Sequence, residues 1–302
     1  MSQDGEQRKT NKWTFVKYDR EDRPVLTGVV TDSRDKDQLS THVKSVVNHL
    51  TNKWYEVRGS AVHGYTNNVF PNVSNPNDYL VVSYYDDYDF KSSWGSGYNF
   101  QTNSVNSDSY ISFPQGLETG GKTRLIGENT WMQSVQYYDD EYQLIQGVGQ
   151  NHLGYLERFY TKYNYMGQIE HNRLEQQVET DKVVTIDETY DFDDFQRLTH
   201  HWHSVDDEPQ VLLASYVYNE SGENKDTQLF STDQGANYMQ SIDYRYNVRG
   251  LLTSINNISF TNDGALNDDT NDLFGMQLYY NESPVRFPLN LGVNEISLGD
   301  SL

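Results

Sequence analysis

Apolar and polar positions alternate with a period of two along most of this chain, in short runs broken by Asn, Asp and Gly. That alternation is the signature of half-buried β-strands joined by tight turns. "WTFVKYDREDRPVLTGVV" (13–30) alternates on both sides of a charged turn and predicts a hairpin. One stretch departs from the pattern. In "DKDQLSTHVKSVVNHLTNKWYEV", Leu39, Val43, Val46, Val47, Leu50 and Trp54 fall at offsets 0, 4, 7, 8, 11 and 15. This single stripe predicts an amphipathic helix over 36–52 that packs on a sheet. The Ser/Asn/Gly-rich stretch 91–109 reads as a long loop, and the polar residues 1–12 read as a disordered tail.

From about residue 131 the alternation becomes periodic on a longer scale. The Tyr just before each expected turn lies at 138, 163, 190, 218 and 246, at intervals of 25, 27, 28 and 28. A period in this range marks a repeat architecture in which each unit buries its apolar face on its neighbours. In a strand, Tyr244 and Tyr246 share one face and Arg245 takes the other. Asp139, Asn164, Asp191, Asn219 and Asn247 follow Tyr138, Tyr163, Tyr190, Tyr218 and Tyr246, and each can accept a backbone N–H to open a turn. Gly167, Gly222 and Gly250 supply the left-handed conformation that closes a short loop. The repeat unit is a β-hairpin with an aromatic face. The expected divisions are a tail (1–12), a β-rich part with one helix (13–130), the hairpin array (131–281) and a second tail (282–302).

Composition sharpens this picture. Hydrophobic residues make up 35% of the chain, and 24 of its 302 residues are Tyr, so tyrosines carry much of the buried area while their phenols still need partners. The class is all-β. A net charge of −21 repels phosphate backbones and anionic lipid, which disfavours nucleic-acid partners. With no cysteine, disulfide and thiolate chemistry are excluded. "MSQDGEQRKTNK" lacks the apolar core of a signal peptide, and no run approaches the ~18 apolar residues of a membrane span.

The units "YNYMGQIE", "YDFDDFQRL" and "DYRYNVRGLLTSINN" resemble the YD repeats of the Rhs family, which includes teneurins and a component of bacterial insecticidal toxin complexes. "KYDREDRPVLTG", "GLETGGKTRLIGENTW", "YYDDEYQLIQ" and "NDLFGMQLYYN" resemble long bacterial Rhs proteins as well, so the resemblance covers most of 13–281. It implies a spiralling β-sheet that forms part of a hollow shell, at the cell surface or secreted. Such shells enclose a toxic domain or act in adhesion between cells. The implied partners are the remainder of the shell or an enclosed effector, with self-association through open sheet edges. The departures are turns without Gly ("REDR", "DEYQ") and the lack of an Arg-rich core motif, of self-cleaving aspartates and of a toxin domain before Leu302. The expectation is therefore an open, truncated segment.

Chemistry-bearing motifs were weighed against this reading. "GLETGGKT" (116–123) matches a phosphate-binding loop through Gly116, Gly121, Lys122 and Thr123, but no helical stripe follows it, so a Gly-rich turn between strands is the expectation. "THHWH" sets His201 and His203 on one strand face, with no identifiable third metal ligand. The acidic run 262–272 lacks the ordering of a calcium loop. Asp86, Asp87, Asp139, Asp140, Asp193 and Asp194 could supply carboxylate pairs, yet most sit where a turn wants an acceptor. Neither a cofactor nor a metal is expected. The leading expectation is a non-enzymatic structural segment. One alternative is a surface module that stacks glycans on Trp94, Trp131 and Trp202, and another is nucleotide binding at the phosphate-loop match.

Overall fold

The computed structural model describes residues 1–49, 54–107, 109–258 and 272–280. Among the described residues the fold is all-β apart from two α-helices and a few 3-10 turns. Its strands are β1 (Lys12–Tyr18), β2 (Pro24–Thr31), β3 (Tyr79–Tyr85), β4 (Glu118–Arg124), β5 (Trp131–Tyr138), β6 (Leu144–Gln150), β7 (Leu156–Tyr163) and β8 (Ile169–Glu179). They continue with β9 (Lys182–Phe192), β10 (Leu198–Val205), β11 (Val211–Tyr218), β12 (Asn224–Ser231), β13 (Gln240–Tyr246), β14 (Leu252–Ile255) and β15 (Met276–Gln277). All belong to one 15-stranded sheet whose spatial order is the sequence order. The paired neighbours run antiparallel, whether a short turn or a long connection joins them.

The helix expected over 36–52 is α2 (Lys36–His49). Asp35 starts it, accepting the backbone N–H groups of Asp37 and Gln38 at 3.0 and 2.9 Å, while the Gln38 side chain returns to the Asp35 N–H. Leu39 is buried and Val43 and Val46 are half-buried, as the stripe requires. Trp54 does not join them: it lies beyond the helix with 66% of its surface exposed. Leu50 falls outside the described residues.

Residues 1–12 are not a disordered tail. Asp4 and Gln7 form a reciprocal capping box that starts α1 (Gly5–Lys9), and Ser2 bridges to Thr14 of β1. The sequence signal was present in "DGEQ", with an acceptor three residues before a Gln, although the segment has no apolar residue to mark a helix face.

The chain divides into two compact units, one of residues 1–162 and 174–184, the other of 163–173 and 185–302. In the first, the connection after α2 and a long excursion between β3 and β4 lie on the sheet and build an aromatic core. Phe15, Val25, Leu26, Tyr65, Val73, Tyr79, Val82 and Tyr84 form its centre. Beside it Tyr88, Tyr110 and Tyr137 pack ring on ring at 4.8–5.2 Å. The excursion, expected as a bare loop over 91–109, contains 3-10 turns at Asp89–Ser93 and Ser96–Tyr98. A buried ion pair fixes the other cover. Lys17 donates to Glu56 at 3.0 Å and to Asn67 at 2.8 Å, and both charged side chains are fully buried. Glu56 also accepts Thr66 Oγ1 and the backbone N–H groups of Asn68 and Val69. With its acceptor sites filled, the carboxylate is tolerable away from water.

Candidate functional site: the aromatic–Asx turns

Every second connection, beginning with β1–β2, is built on one plan. An aromatic residue ends the first strand and an Asp or Asn follows it. The pairs are Tyr18–Asp19, Tyr138–Asp139, Tyr163–Asn164, Phe192–Asp193, Tyr218–Asn219 and Tyr246–Asn247. The Asx backbone N–H donates to the carbonyl four residues on, at 2.8–3.0 Å. Three residues on, an N–H returns to the Asx carbonyl. The Asx side-chain oxygen accepts further N–H groups within the turn, such as Ser221 and Glu223 on Asn219 at 3.0 and 2.9 Å. A five-residue loop thus satisfies its own backbone.

The residue three after the Asx has positive φ throughout. Gly167, Gly222 and Gly250 take it at 78°, 91° and 74°. Where Gly is missing, Asp22, Tyr142 and Gln196 adopt 61°, 64° and 64°, at a cost of roughly 1–2 kcal/mol each. The turns "REDR" and "DEYQ" therefore keep their conformation without the residue that makes it easy.

One sequence assignment is corrected. Asp191 does not open a turn; that role belongs to Asp193, which accepts from Phe195 and Arg197 at 2.9 Å each. Asp191 instead accepts Trp202 Nε1 at 2.8 Å, and Tyr190 stacks on His201 at 4.6 Å. "YDFDDF" offers an aromatic–Asp pair twice, and the Tyr spelling picked the wrong one. Phe192 holds the Tyr position.

The phosphate-loop match is also resolved. Asp86 follows Tyr85 at the end of β3, and its N–H donates to the carbonyl of Leu117 at 3.1 Å. Its side chain accepts the N–H of Gly116 at 2.7 Å. This is a variant of the same turn, split open by the excursion 87–115: Gly116 takes positive φ, at 87°, and, unlike the Asx of the other turns, Asp86 does too, at 71°. Gly121, Lys122 and Thr123 lie in β4, paired with β3 on one side and β5 on the other, so their N–H groups belong to a strand and not to a phosphate cradle. Gly120 is small because a Cβ there would stand 2.5 Å from the Phe90 ring of the excursion.

Adjacent turns interlock, and sequence reasoning missed how. The Tyr of one unit donates its hydroxyl to the first strand residue after the preceding turn. Tyr85 reaches the carbonyl of Pro24 at 3.2 Å and Tyr138 that of Glu118 at 2.7 Å. In the other unit Tyr218 reaches Leu198 at 2.8 Å, Tyr246 reaches Asn224 at 2.9 Å and Tyr280 reaches Leu252 at 3.0 Å. Burial pushes the Tyr138, Tyr218 and Tyr246 phenols up, which keeps them donors. The last turn residue then reaches forward. Arg23 stacks on Tyr85 at 4.4 Å and binds Asp86 at 2.9 and 2.6 Å, and Arg197 stacks on Tyr218 at 4.4 Å. The Arg23 hydrogen bond outweighs desolvation and holds the Asp86 carboxyl below its usual range. The arginine that closes these two turns thus reaches toward the next unit, a signal visible in the sequence only once the neighbour is known.

Each of the three candidate tryptophans has its own ring neighbours. Trp94 packs among Phe90, Tyr84 and Tyr98, Trp131 lies 4.6 Å from His63 with Lys122 above it at 5.4 Å, and Trp202 stacks on His200 at 5.8 Å. His201 and His203 gain no third ligand: among the described residues no three His, Asp or Glu side chains gather as a metal site. The acidic run lies outside the described residues from 262 to 271. Shallow cavities of ≈ 470 Å³ beside Lys91 and ≈ 440 Å³ beside Tyr165 are lined mostly by polar and acidic side chains. No helix among the described residues is long and apolar enough to cross a membrane.

No family model and no curated protein match the chain. Among solved structures it is similar to a mutated Tc holotoxin pore of Photorhabdus luminescens, at 13% identity and a TM-score of 0.30, over 81% of this chain and 12% of that one. It is also similar to a complex of TcdB2, TccC3 and Cdc42, at 13% identity and a TM-score of 0.26, over 81% of this chain and 13% of that one. The chain therefore spans about an eighth of the length of these Tc toxin components.

Proposed function

We propose that this chain is a non-enzymatic wall segment of a YD-repeat shell that encloses or scaffolds a secreted toxin or effector. The observation that carries the reading is the interlock. Tyr85, Tyr138, Tyr218 and Tyr246 each tie their hairpin to the one before it through a hydroxyl, and Arg23 and Arg197 reach from the last turn residue to the one after, so the sheet extends by a recurring step. A surface built for extension, with polar side chains on its uncovered strands, suits enclosure better than turnover. The partners on this reading are the rest of the shell or its cargo. The glycan alternative has less support, because Trp94 and Trp131 are committed to packing against the core of the first unit.

The test is to co-express the chain with each product encoded beside its own gene and treat the lysates with protease. A wall segment co-purifies with one such product and lengthens its survival. If none binds and none is protected, while a glycan array shows binding lost in Trp202→Ala, the adhesion reading replaces it.

A further inference from the structure

The outer edge of β1 is occupied by the chain itself. In an antiparallel ladder, alternate residues turn their N–H and C=O groups away from the partner strand. On β1, whose partner is β2, these are Lys12, Thr14, Val16 and Tyr18. Thr14 exchanges both bonds with Ser2, at 2.9 Å each. The Lys12 carbonyl accepts Gln3 Nε2 at 3.0 Å, and the Tyr18 carbonyl accepts the Glu56 N–H at 2.8 Å. Gln7, locked by the capping box on Asp4, donates to Thr14 Oγ1 at 2.8 Å. Only Val16 is left without such a cover among the described residues. A single open residue is too short to template a strand, whereas the bare edge of Lys12–Tyr18 would be long enough.

We propose that residues 2–11, together with Glu56, form a strap that shields this edge from pairing with the β1 strand of a second copy of the chain. The occupant it excludes is argued from charge and symmetry. "KWTFVKY" carries no carboxylate in a chain of net charge −21. Two such strands therefore meet with less repulsion than the rest of the surface allows, and an antiparallel β1–β1 pair is self-complementary about a two-fold axis. The strap is a removable block on self-assembly at this end of the sheet. It stands apart from the shell reading, and the two fail by different measurements.

Because the chain has no cysteine, Val16→Cys reports edge pairing directly. Alone, under mild oxidation, it forms little disulfide-linked dimer. Adding Ser2→Pro, which removes the bridging N–H, and Gln7→Ala, which removes the capping box and the Thr14 bond, raises that dimer by about tenfold. Equal cross-linking in the two backgrounds overturns the proposal, whichever level it takes. The aromatic core contains none of residues 1–11, so the loosened variant should fold, which circular dichroism checks. Should it not, amide exchange in the unaltered chain decides instead. A slow Thr14 amide beside a fast Val16 amide supports the strap, and two fast amides overturn it.

Discussion

The two units of the sheet use the same turns and stabilise their strands differently. In residues 1–162 and 174–184, segments between strands fold back as a cover, and the buried side chains are mostly aromatic and aliphatic. In the other unit the only buried apolar residues among those described are Leu212 and Ala214. Asp187, Asp226, Asp243, Ser204, Ser215, Ser241 and Ser254 are buried there instead. Cross-strand bonds join several of them, such as His171 and Arg173 on Asp187, at 2.6 and 2.8 Å, and Ser241 on Asp226 at 2.8 Å. In this unit turns, ladder and cross-strand side-chain bonds stand where the first unit has an aromatic core, among the described residues.

The largest expected break in this contrast is at Glu56. Glu56→Ala leaves Lys17 buried without its counter-charge and should cost about 3–5 kcal/mol in urea unfolding. Asp187→Asn, on the uncovered strands, should cost less than half as much. Equal losses would erase the distinction between the units. Next come the turns, which should behave alike in both. Gly250→Val forces a branched side chain to φ 74°, with its Cβ 2.8 Å from Glu223, and should cost ~2 kcal/mol. Gln196→Gly should return ~1 kcal/mol by relieving the same strain. An unchanged melting temperature for Gly250→Val would remove the left-handed turn from the account.

The interlock is worth less per bond. Tyr218→Phe, which imitates the natural Phe192, should cost ~1 kcal/mol. The smallest effect distinguishes the covered unit by pH. Burial, with Lys122 nearby, lowers the His63 pKa to about 4 from an unfolded value of 6.5. The folded state then binds fewer protons than the unfolded one between these values. Stability is complete above pH 6.5 and declines as pH falls toward 4. Because the ring is partly solvated, the loss at pH 5 should be on the order of 1 kcal/mol, and His63→Phe should abolish it. A melting temperature of the parent chain that holds constant from pH 7 to 5 would sink this assignment.

How much of this could be read in advance follows from what each signal depends on. The alternation, the Asx residues and the three turn glycines are local, so the hairpins were legible. The helix stripe was legible too, except where Trp54 continued its spacing past the last helical turn. Asp193 was missed because Asp191 satisfies the same short pattern two residues earlier. The turn at Asp86 was missed because its closing half lies beyond a long excursion, at Gly116 and Leu117. The hydroxyl ties and the stacked arginines join consecutive units, and no window that contains one unit can show them. The buried polar pairs were hidden for a related reason, since Asp226 and Asp243 look like solvated surface until the register sets them opposite each other.

The split turn at Asp86 has a practical meaning. Asp86, at one lip of the opening, holds Gly116 at the other and is itself held by Arg23 of the β1–β2 turn, while β3 and β4 stay in register behind it. That makes the position a natural port for grafting. A foreign loop or small domain joined there inherits a closed seam, and the strands need not be redesigned to receive it. Any of the five-residue turns could be opened in the same way by placing an arginine one unit upstream. Such sheets can then acquire new decorations one hairpin at a time.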